Sequence, residues 1–261
     1  MRAQYRTNFI LFILFALSLV IAELCGLNKT LFLDINSFAA HNLPLLWPNL
    51  TLLGDTMTLF AIILLFIRKR ADLVISAIIA VLIGTIIVNL LKTTSGMLRP
   101  AAVLNHELIN IIGPVLTRHS FPSGHTISIF TLAGIIIFSV KQIPLRLAIF
   151  LIALLTGISR IAVGAHWPED VLAGAAIGLL SATVGVYLSA KLKWSQIKAV
   201  PIVLGLLLIF SDLFFLFFYN SKYPQALFFQ YFIASVTLIA GFREYYLLIK
   251  QPAVQNDIYH Q

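Results

Sequence analysis

Long runs of apolar residues, separated by short polar segments, dominate this chain. A helix that crosses the hydrocarbon core of a membrane needs about 20 mostly apolar residues. Eight stretches approach or reach that length, so we predict an all-α, polytopic membrane protein. The predicted spans cover residues 8–27, 49–67, 71–91, 122–140, 145–163, 171–190, 200–219 and 226–242.

Three connecting segments fall on one predicted side of the membrane. Residues 28–48 carry apolar side chains at helical spacing and predict a helix lying at the interface. Residues 92–121 show no clear apolar period and form an unusually long loop, which is often functional. Residues 164–170 form a short loop between two spans. We expect the last two loops to converge.

Composition agrees with a membrane protein, because 60% of the residues are hydrophobic and 11% are charged. Soluble domains are roughly half apolar and a quarter charged. Cys25 is the single cysteine, which excludes an internal disulfide, and we expect it to pack in the core. Residues 1–22 also resemble a secretory signal, but cleavage after Ala22 would leave the downstream topology unchanged.

The distribution of basic residues predicts the orientation. Lys and Arg concentrate in short cytoplasmic loops, and twelve of the eighteen lie on one side if the N-terminus is inside. We therefore place both termini in the cytoplasm and the loops 92–121 and 164–170 on the periplasmic or exterior face. The compact, nearly loop-free chain and its helical spans favour a bacterial inner membrane. The net charge of +8 is spread over helix ends that would meet anionic lipid, so we predict no nucleic-acid partner.

Three clusters of chemically active residues lie at the outer ends of the predicted spans. Lys92 is followed by Arg99-Pro100; Pro122-Ser123-Gly124-His125 starts the fourth span; and Ser159-Arg160 is followed by His166 and Asp170. Two guanidinium groups and one ammonium group suit a ligand with several anionic oxygens. Ser123 and Gly124 lie at a helix start, where backbone N–H groups bind anions. A single basic residue at a membrane end is more often a lipid-facing side chain, but three beside two histidines predict a phosphate site.

The two histidines suit different steps of phosphoryl transfer. His166 and Asp170 are four residues apart, so a carboxylate can orient the imidazole and stabilise its cation. His166 is therefore the predicted nucleophile, and His125 the predicted general acid. The alternative is a zinc site, but Lys92, Arg99 and Arg160 would repel a divalent ion. We predict no metal and no other cofactor.

These clusters resemble the three-part signature of the type-2 phosphatidic acid phosphatase family, which acid phosphatases and vanadium haloperoxidases share. The resemblance runs from Lys92 to Asp170. It implies a six-helix core in which His166 and Asp170 act as the nucleophile pair and His125 as the acid. The residues that it implies for phosphate binding are Lys92, Arg99, Ser123, Gly124 and Arg160.

The last two predicted spans lie beyond that core. We divide the chain into a phosphatase core at residues 1–198 and an extension at 199–261, within one membrane domain. Arg118 and His119 are candidate secondary contacts to a substrate head group, as are His106 and Glu107. Asp212, inside the seventh span, is expected to form a structural hydrogen bond.

Other residues carry weaker expectations. Gly54-Asp55 begins the second span and either shapes the site or is a solvated helix start. His41 and His260 have no neighbours in sequence that suggest chemistry.

The predicted function is hydrolysis of a lipid phosphate or pyrophosphate at the outer face of the membrane, through a phosphohistidine. Undecaprenyl pyrophosphate, phosphatidylglycerol phosphate, phosphatidic acid and lipid A phosphates are the candidate substrates. Two alternatives stay open: phosphotransfer to another lipid, and a non-catalytic anion or lipid transporter. Discontinuous helices or a polar path through the bundle would favour the transporter.

Overall fold

A computed structural model describes residues 2–251, with side chains from residue 6 onwards. His260 and the C-terminal end lie outside the described residues. Within the described range all regular structure is helical, as predicted. The helices are α1 Arg2–Leu24, α2 Asn28–His41, α3 Leu46–Leu53, α4 Thr56–Leu64, α5 Ala71–Ser95, α6 Pro100–Val103, α7 Gly124–Ser139, α8 Ile143–Ala162, α9 Pro168–Leu192, α10 Ala199–Phe217 and α11 Leu227–Lys250.

Six of these helices are long and apolar enough to cross a membrane: α1, α5, α8, α9, α10 and α11. The apolar helix α7 has 16 residues and starts two residues later than the predicted span. Segment 28–48 contains α2, in agreement with the predicted helix. Leu82, Ile86 and Leu90 of α5 are exposed at four-residue spacing, which is typical of a lipid-facing surface. Cys25 is also exposed, so its predicted packing in the core is wrong.

The second predicted span is not one continuous helix. Instead, α3 and α4 meet at Gly54-Asp55 with a bend of 64°. Asp55 ends the continuity because its side chain caps α4, accepting a hydrogen bond from the Met57 backbone N–H at 2.9 Å. Taken together, α3 and α4 are still long and apolar enough to form one bent span. The prediction of an uninterrupted helix over residues 49–67 is therefore wrong.

Helix α9 is the centre of the bundle and packs against α7, α5 and α1. Small residues allow this close approach. A Cβ on Gly178 would lie 2.6 Å from the carbonyl oxygen of Ile127, and one on Gly174 would lie 2.8 Å from that of Ser123. The start of α7 is thereby held against the start of α9, where the Ser123 N–H donates to the Asp170 carbonyl at 3.0 Å.

Helices α10 and α11 pack against each other and against α4. Asp212 is buried in this pair and accepts a hydrogen bond from Thr237 Oγ1 at 2.8 Å. The expected structural hydrogen bond is confirmed. The connection between the two helices, residues 218–226, carries Tyr219 and Tyr223 to the end of the bundle where α7 and α9 begin.

Candidate active site

The fold brings the three sequence clusters together at one end of the bundle. Lys92 lies in the last turn of α5, and Arg160 lies in the last turn of α8. Ser123 is the N-cap of α7, and Asp170 lies in the first turn of α9. Because these helices alternate in direction, two helix ends and two helix starts meet at the same place.

His166 and Asp170 form a buried pair. The His166 Nδ1 lies 3.1 Å from the Asp170 Oδ2, and the two residues are 2% and 0% exposed. The same oxygen accepts hydrogen bonds from Ser120 Oγ at 2.5 Å and from the Trp167 N–H at 2.9 Å. The Asp170 carboxylate thus caps α9 and fixes the imidazole at once.

Arg99 contacts the other ring nitrogen, since its Nη1 lies 3.2 Å from the His166 Nε2. A guanidinium group only donates. The contact is therefore a hydrogen bond when Nε2 carries no proton and Nδ1–H donates to Asp170. In that tautomer the lone pair of Nε2 faces the cations of the site, as a nucleophile toward an anionic group requires.

Three backbone carbonyl groups hold Arg99, which is 6% exposed. It donates to Ala165 O at 2.8 Å, Arg118 O at 3.0 Å and His119 O at 3.4 Å. Arg118 and His119 thus reach the site through their main chain, while the His119 ring contacts the Lys92 carbonyl at 2.9 Å. Both residues are exposed. Side-chain contacts from them to a substrate stay a prediction.

Arg160 is the most buried of the three cations, at 3% exposure. Its Nη1 donates to the Tyr223 hydroxyl at 2.9 Å, and its guanidinium carbon lies 5.7 Å from the centre of the Tyr223 ring. Its Nε has no hydrogen-bond partner among residues 2–251. A buried donor without a partner is costly, and an anionic oxygen would satisfy it.

The start of α7 adds an open approach to this cluster. Ser123 is fully buried and its Oγ accepts a 2.9 Å hydrogen bond from Thr126 Oγ1. A Cβ placed on Gly124 would meet nothing within 4 Å. Space therefore lies next to the first turn, where backbone N–H groups without helical partners attract anions.

His125 lies on the first turn of α7 and faces the break between α3 and α4. Its side chain is 32% exposed, and its Nε2 lies 4.0 Å from the Asp55 Oδ2. A cavity of about 260 Å³ opens beside it, between α5, α7 and the break. His125 is thus more accessible than His166, as a group that exchanges protons with a leaving group and water must be.

Burial lowers the pKa of His166 well below its ordinary value. The nearby cations lower it further; they are Arg99, Arg160 and Lys92. The ammonium group of Lys92 also acts electrostatically on Arg99, Arg160 and Asp170, which places it with the cluster. His166 is therefore neutral at neutral pH and can act as a nucleophile without first losing a proton.

The remaining sequence candidates do not join this cluster through any described contact. The His106 ring contacts Ala101 O at 2.8 Å, Glu107 is exposed, and the His41 ring contacts Ser37 O. Conversely, sequence reasoning missed Ser120, Tyr219 and Tyr223. The topology could have pointed to the two tyrosines, because residues 218–226 join two predicted spans on the same side of the membrane as loops 92–121 and 164–170.

Comparison with known proteins agrees with this fold and site. Residues 73–194 match the family model of the PAP2 superfamily. The solved structure of LpxE from Aquifex aeolicus is 32% identical with a TM-score of 0.56, covering 62% of this chain and 95% of that one.

Two curated relatives carry enzyme names. The undecaprenyl-diphosphatase of Sulfolobus acidocaldarius is 35% identical over 121 residues, and the lipid A 1-phosphatase of Rhizobium etli is 33% identical over 152 residues. These matches cover 45% and 49% of this chain, and 55% and 64% of those proteins. The fold defines a polytopic helical membrane protein, and the chain belongs to the PAP2 superfamily.

Proposed function

We propose that this protein is a metal-independent lipid phosphatase that works through a phosphohistidine at His166. The observation that carries the proposal is the buried His166–Asp170 pair, whose free ring nitrogen meets Arg99 at 3.2 Å. An imidazole held in one tautomer among fixed cations is suited to attack a phosphorus atom whose oxygens those cations bind.

The reaction divides into two displacements. Lys92, Arg99 and Arg160 bind the phosphate oxygens, together with the α7 start at Ser123 and Gly124. The His166 Nε2 then forms a bond to phosphorus as the bond to the leaving oxygen breaks, and His125 gives its proton to that oxygen. Asp170 stabilises the resulting imidazolium.

The second displacement returns the enzyme to its starting state. His125, now neutral, takes a proton from a water molecule that attacks the phosphohistidine. The N–P bond breaks, inorganic phosphate leaves, and both histidines regain their initial protonation. No step needs a metal, because three fixed cations already neutralise the charge that develops on the phosphoryl oxygens.

The candidate substrates are those that the sequence suggested. They are undecaprenyl pyrophosphate, phosphatidylglycerol phosphate, phosphatidic acid and lipid A phosphates, and the names of the two curated relatives support the first and the last. We place the site at the periplasmic or exterior face of a bacterial inner membrane, with cytoplasmic termini. The division into a core at 1–198 and an extension at 199–261 belongs to the same proposal.

Two alternatives use the same site differently. Phosphotransfer would pass the phosphoryl group from His166 to another lipid instead of water. The discontinuity at Gly54-Asp55 is a feature that would favour a transporter, but it lies against His125, where a Cβ on Gly54 would come within 2.9 Å of the His125 Cβ. The break therefore has a role in the site that requires no transport.

The test is phosphate release by the detergent-solubilised protein from these four lipids, with excess EDTA. We expect release from at least one lipid at a rate that EDTA does not change. Loss of release with EDTA would contradict the metal-independent mechanism. A labelled product that forms only when an acceptor lipid is added would replace hydrolysis by phosphotransfer. Movement of lipid across the membrane of proteoliposomes, without any release of phosphate, would favour the transporter.

The pH dependence provides a second prediction. The pKa of His166 is lowered, so activity that needs the neutral imidazole persists as pH falls and is lost only near that lowered pKa. Lys92→Gln removes one positive charge that lowers the pKa, so the acid limb of the kcat/KM profile should move to higher pH. Because the phosphate group of the substrate can mask this limb, the pKa of His166 is also followed directly by NMR titration of its imidazole in both proteins. A His166 pKa that does not rise in Lys92→Gln would contradict the proposed effect of the Lys92 charge on the nucleophile.

A further inference from the structure

A second carboxylate faces the site from outside the three-part signature. Asp55 lies in the break between α3 and α4, and its side chain is 8% exposed. Its two oxygens have separate partners. Oδ1 accepts from the Met57 N–H at 2.9 Å, whereas Oδ2 accepts from the Tyr219 hydroxyl and lies 4.0 Å from the His125 Nε2.

The cap on α4 explains only half of this arrangement. Oδ1 alone satisfies the first turn of α4, so a capping role leaves the position of Oδ2 unexplained. A tyrosine from the α10–α11 connection fixes Oδ2 beside the imidazole, across 164 positions of sequence. The Tyr219 hydrogen bond offsets part of the cost of burying this carboxylate.

The chemistry of His125 gives Oδ2 a use. A general acid must carry a proton on the nitrogen that meets the leaving oxygen, but burial and the nearby cations disfavour the charged form of His125. A carboxylate on the other nitrogen would stabilise that imidazolium. The cavity beside His125 gives its ring room to close the 4.0 Å separation, since catalytic hydrogen bonds often tighten only when substrate binds.

We propose that Asp55, held by Tyr219, is the positioning residue of His125. It accepts the Nε2–H of the imidazolium and leaves the Nδ1 proton for the leaving oxygen. After that transfer the neutral ring keeps Nε2–H on Asp55 and presents Nδ1 as the base for water. This inference rests on the proposed phosphatase function, and it assigns a role to the two helices beyond the matched family region.

The same connection holds both sides of the site. Tyr219 fixes Asp55 next to the acid, and Tyr223 bonds Arg160 next to the nucleophile. The two tyrosines are four positions apart on residues 218–226. Helices α10 and α11 thus act as a support that reaches the acid and the phosphate-binding cation together.

The test compares two probes with the same alkyl tail, dodecyl phosphate and a dodecyl-bearing nitrophenyl phosphate. An alkoxide needs a proton to leave, whereas nitrophenolate leaves without one. Asp55→Asn keeps the cap on α4, because Asn caps as well as Asp, and removes the charge. With dodecyl phosphate, we expect the single-turnover rate constant for cleavage to fall about 10²-fold, within the range of general acid catalysis. The KM measured in steady-state turnover should change little.

The nitrophenyl probe should behave differently in the same variant. Its first turnover, measured as a burst of nitrophenolate, should stay within about threefold of the unmodified protein, while later turnovers slow because water activation also needs His125. Tyr219→Phe should give the same pattern at about tenfold, the size of one hydrogen bond to a charged group. Asp34→Asn and Tyr231→Phe, both at exposed positions, should change neither rate.

The outcomes separate the two proposals. Equal loss on both probes, in variants that still unfold at the normal temperature, would overturn the role of Asp55 and make it part of the phosphate-binding region near Arg160. Unchanged rates on both probes would overturn it as well. If the unmodified protein gives neither a burst nor cleavage of dodecyl phosphate, the proposed function itself fails.

Discussion

Replacing His166 with alanine is expected to lower lipid phosphate hydrolysis by at least about 10⁴-fold, the scale seen when a nucleophile is removed. No other described side chain meets both Asp170 and Arg99 with a free ring nitrogen. The protein should remain folded, because Asp170 keeps its hydrogen bonds from Ser120 and Trp167. The measurement is phosphate release from the lipid that the purified protein cleaves.

Two controls make this result interpretable. The thermal unfolding temperature should change little, and inorganic phosphate should still bind, since the phosphate-binding cations are intact. His41→Ala is the matched variant, because His41 is exposed on α2, and it should keep full activity. A folded His166→Ala protein that hydrolyses lipid at the normal rate would show that His166 is not the nucleophile.

Asp170→Asn should lower kcat by about 10³ to 10⁴-fold, as loss of the carboxylate does in related catalytic arrangements. An amide oxygen can still accept from the Trp167 N–H, so α9 stays capped. The amide lacks the negative charge that stabilises the imidazolium, and its NH₂ group favours the wrong tautomer of His166. Both effects act on the nucleophile and neither removes a phosphate-binding cation.

Ser120→Ala is the control for this prediction. It removes one of three donors to the Asp170 Oδ2 but leaves the charge, so kcat should fall far less than in Asp170→Asn. Activity and unfolding temperature are measured for both variants. If Ser120→Ala and Asp170→Asn were equally impaired, the network would matter through its packing and not through the carboxylate charge.

Much of the fold follows from local sequence pattern. Apolar runs predicted α5, α8, α9 and α10 to within a few residues, because a membrane span needs only length and hydropathy. The break at Gly54-Asp55 escaped, since two residues hardly change the average of a long apolar run. Gly54 followed by Asp55 is a local signal for a helix end and a new helix start. The 64° bend itself depends on how α3 and α4 pack, which the local sequence does not give.

The contacts in the candidate site were also only partly predictable from local sequence. The four-residue spacing of His166 and Asp170 predicts their contact, and the structure gives 3.1 Å between them. Contacts such as Arg160 with Tyr223 and Asp55 with Tyr219 have no local signal, because they arise where α10 and α11 pack against α4. Arg118 and His119 illustrate a further limit. The sequence suggested that their side chains contact the substrate. In the structure their backbone carbonyl groups accept hydrogen bonds from Arg99.

The most direct test of the central claim is to trap the phosphorylated enzyme. The nitrophenyl probe is mixed with a His125→Asn variant, in which the phenolate leaves without an acid but water is not activated, and the reaction is stopped with alkaline denaturant. The account predicts one phosphate per protein, stable to alkali, labile to acid and located by mass spectrometry on residue 166, with none in the His166→Ala variant. Nitrophenolate release without covalent phosphate, or phosphate on another residue, would contradict it.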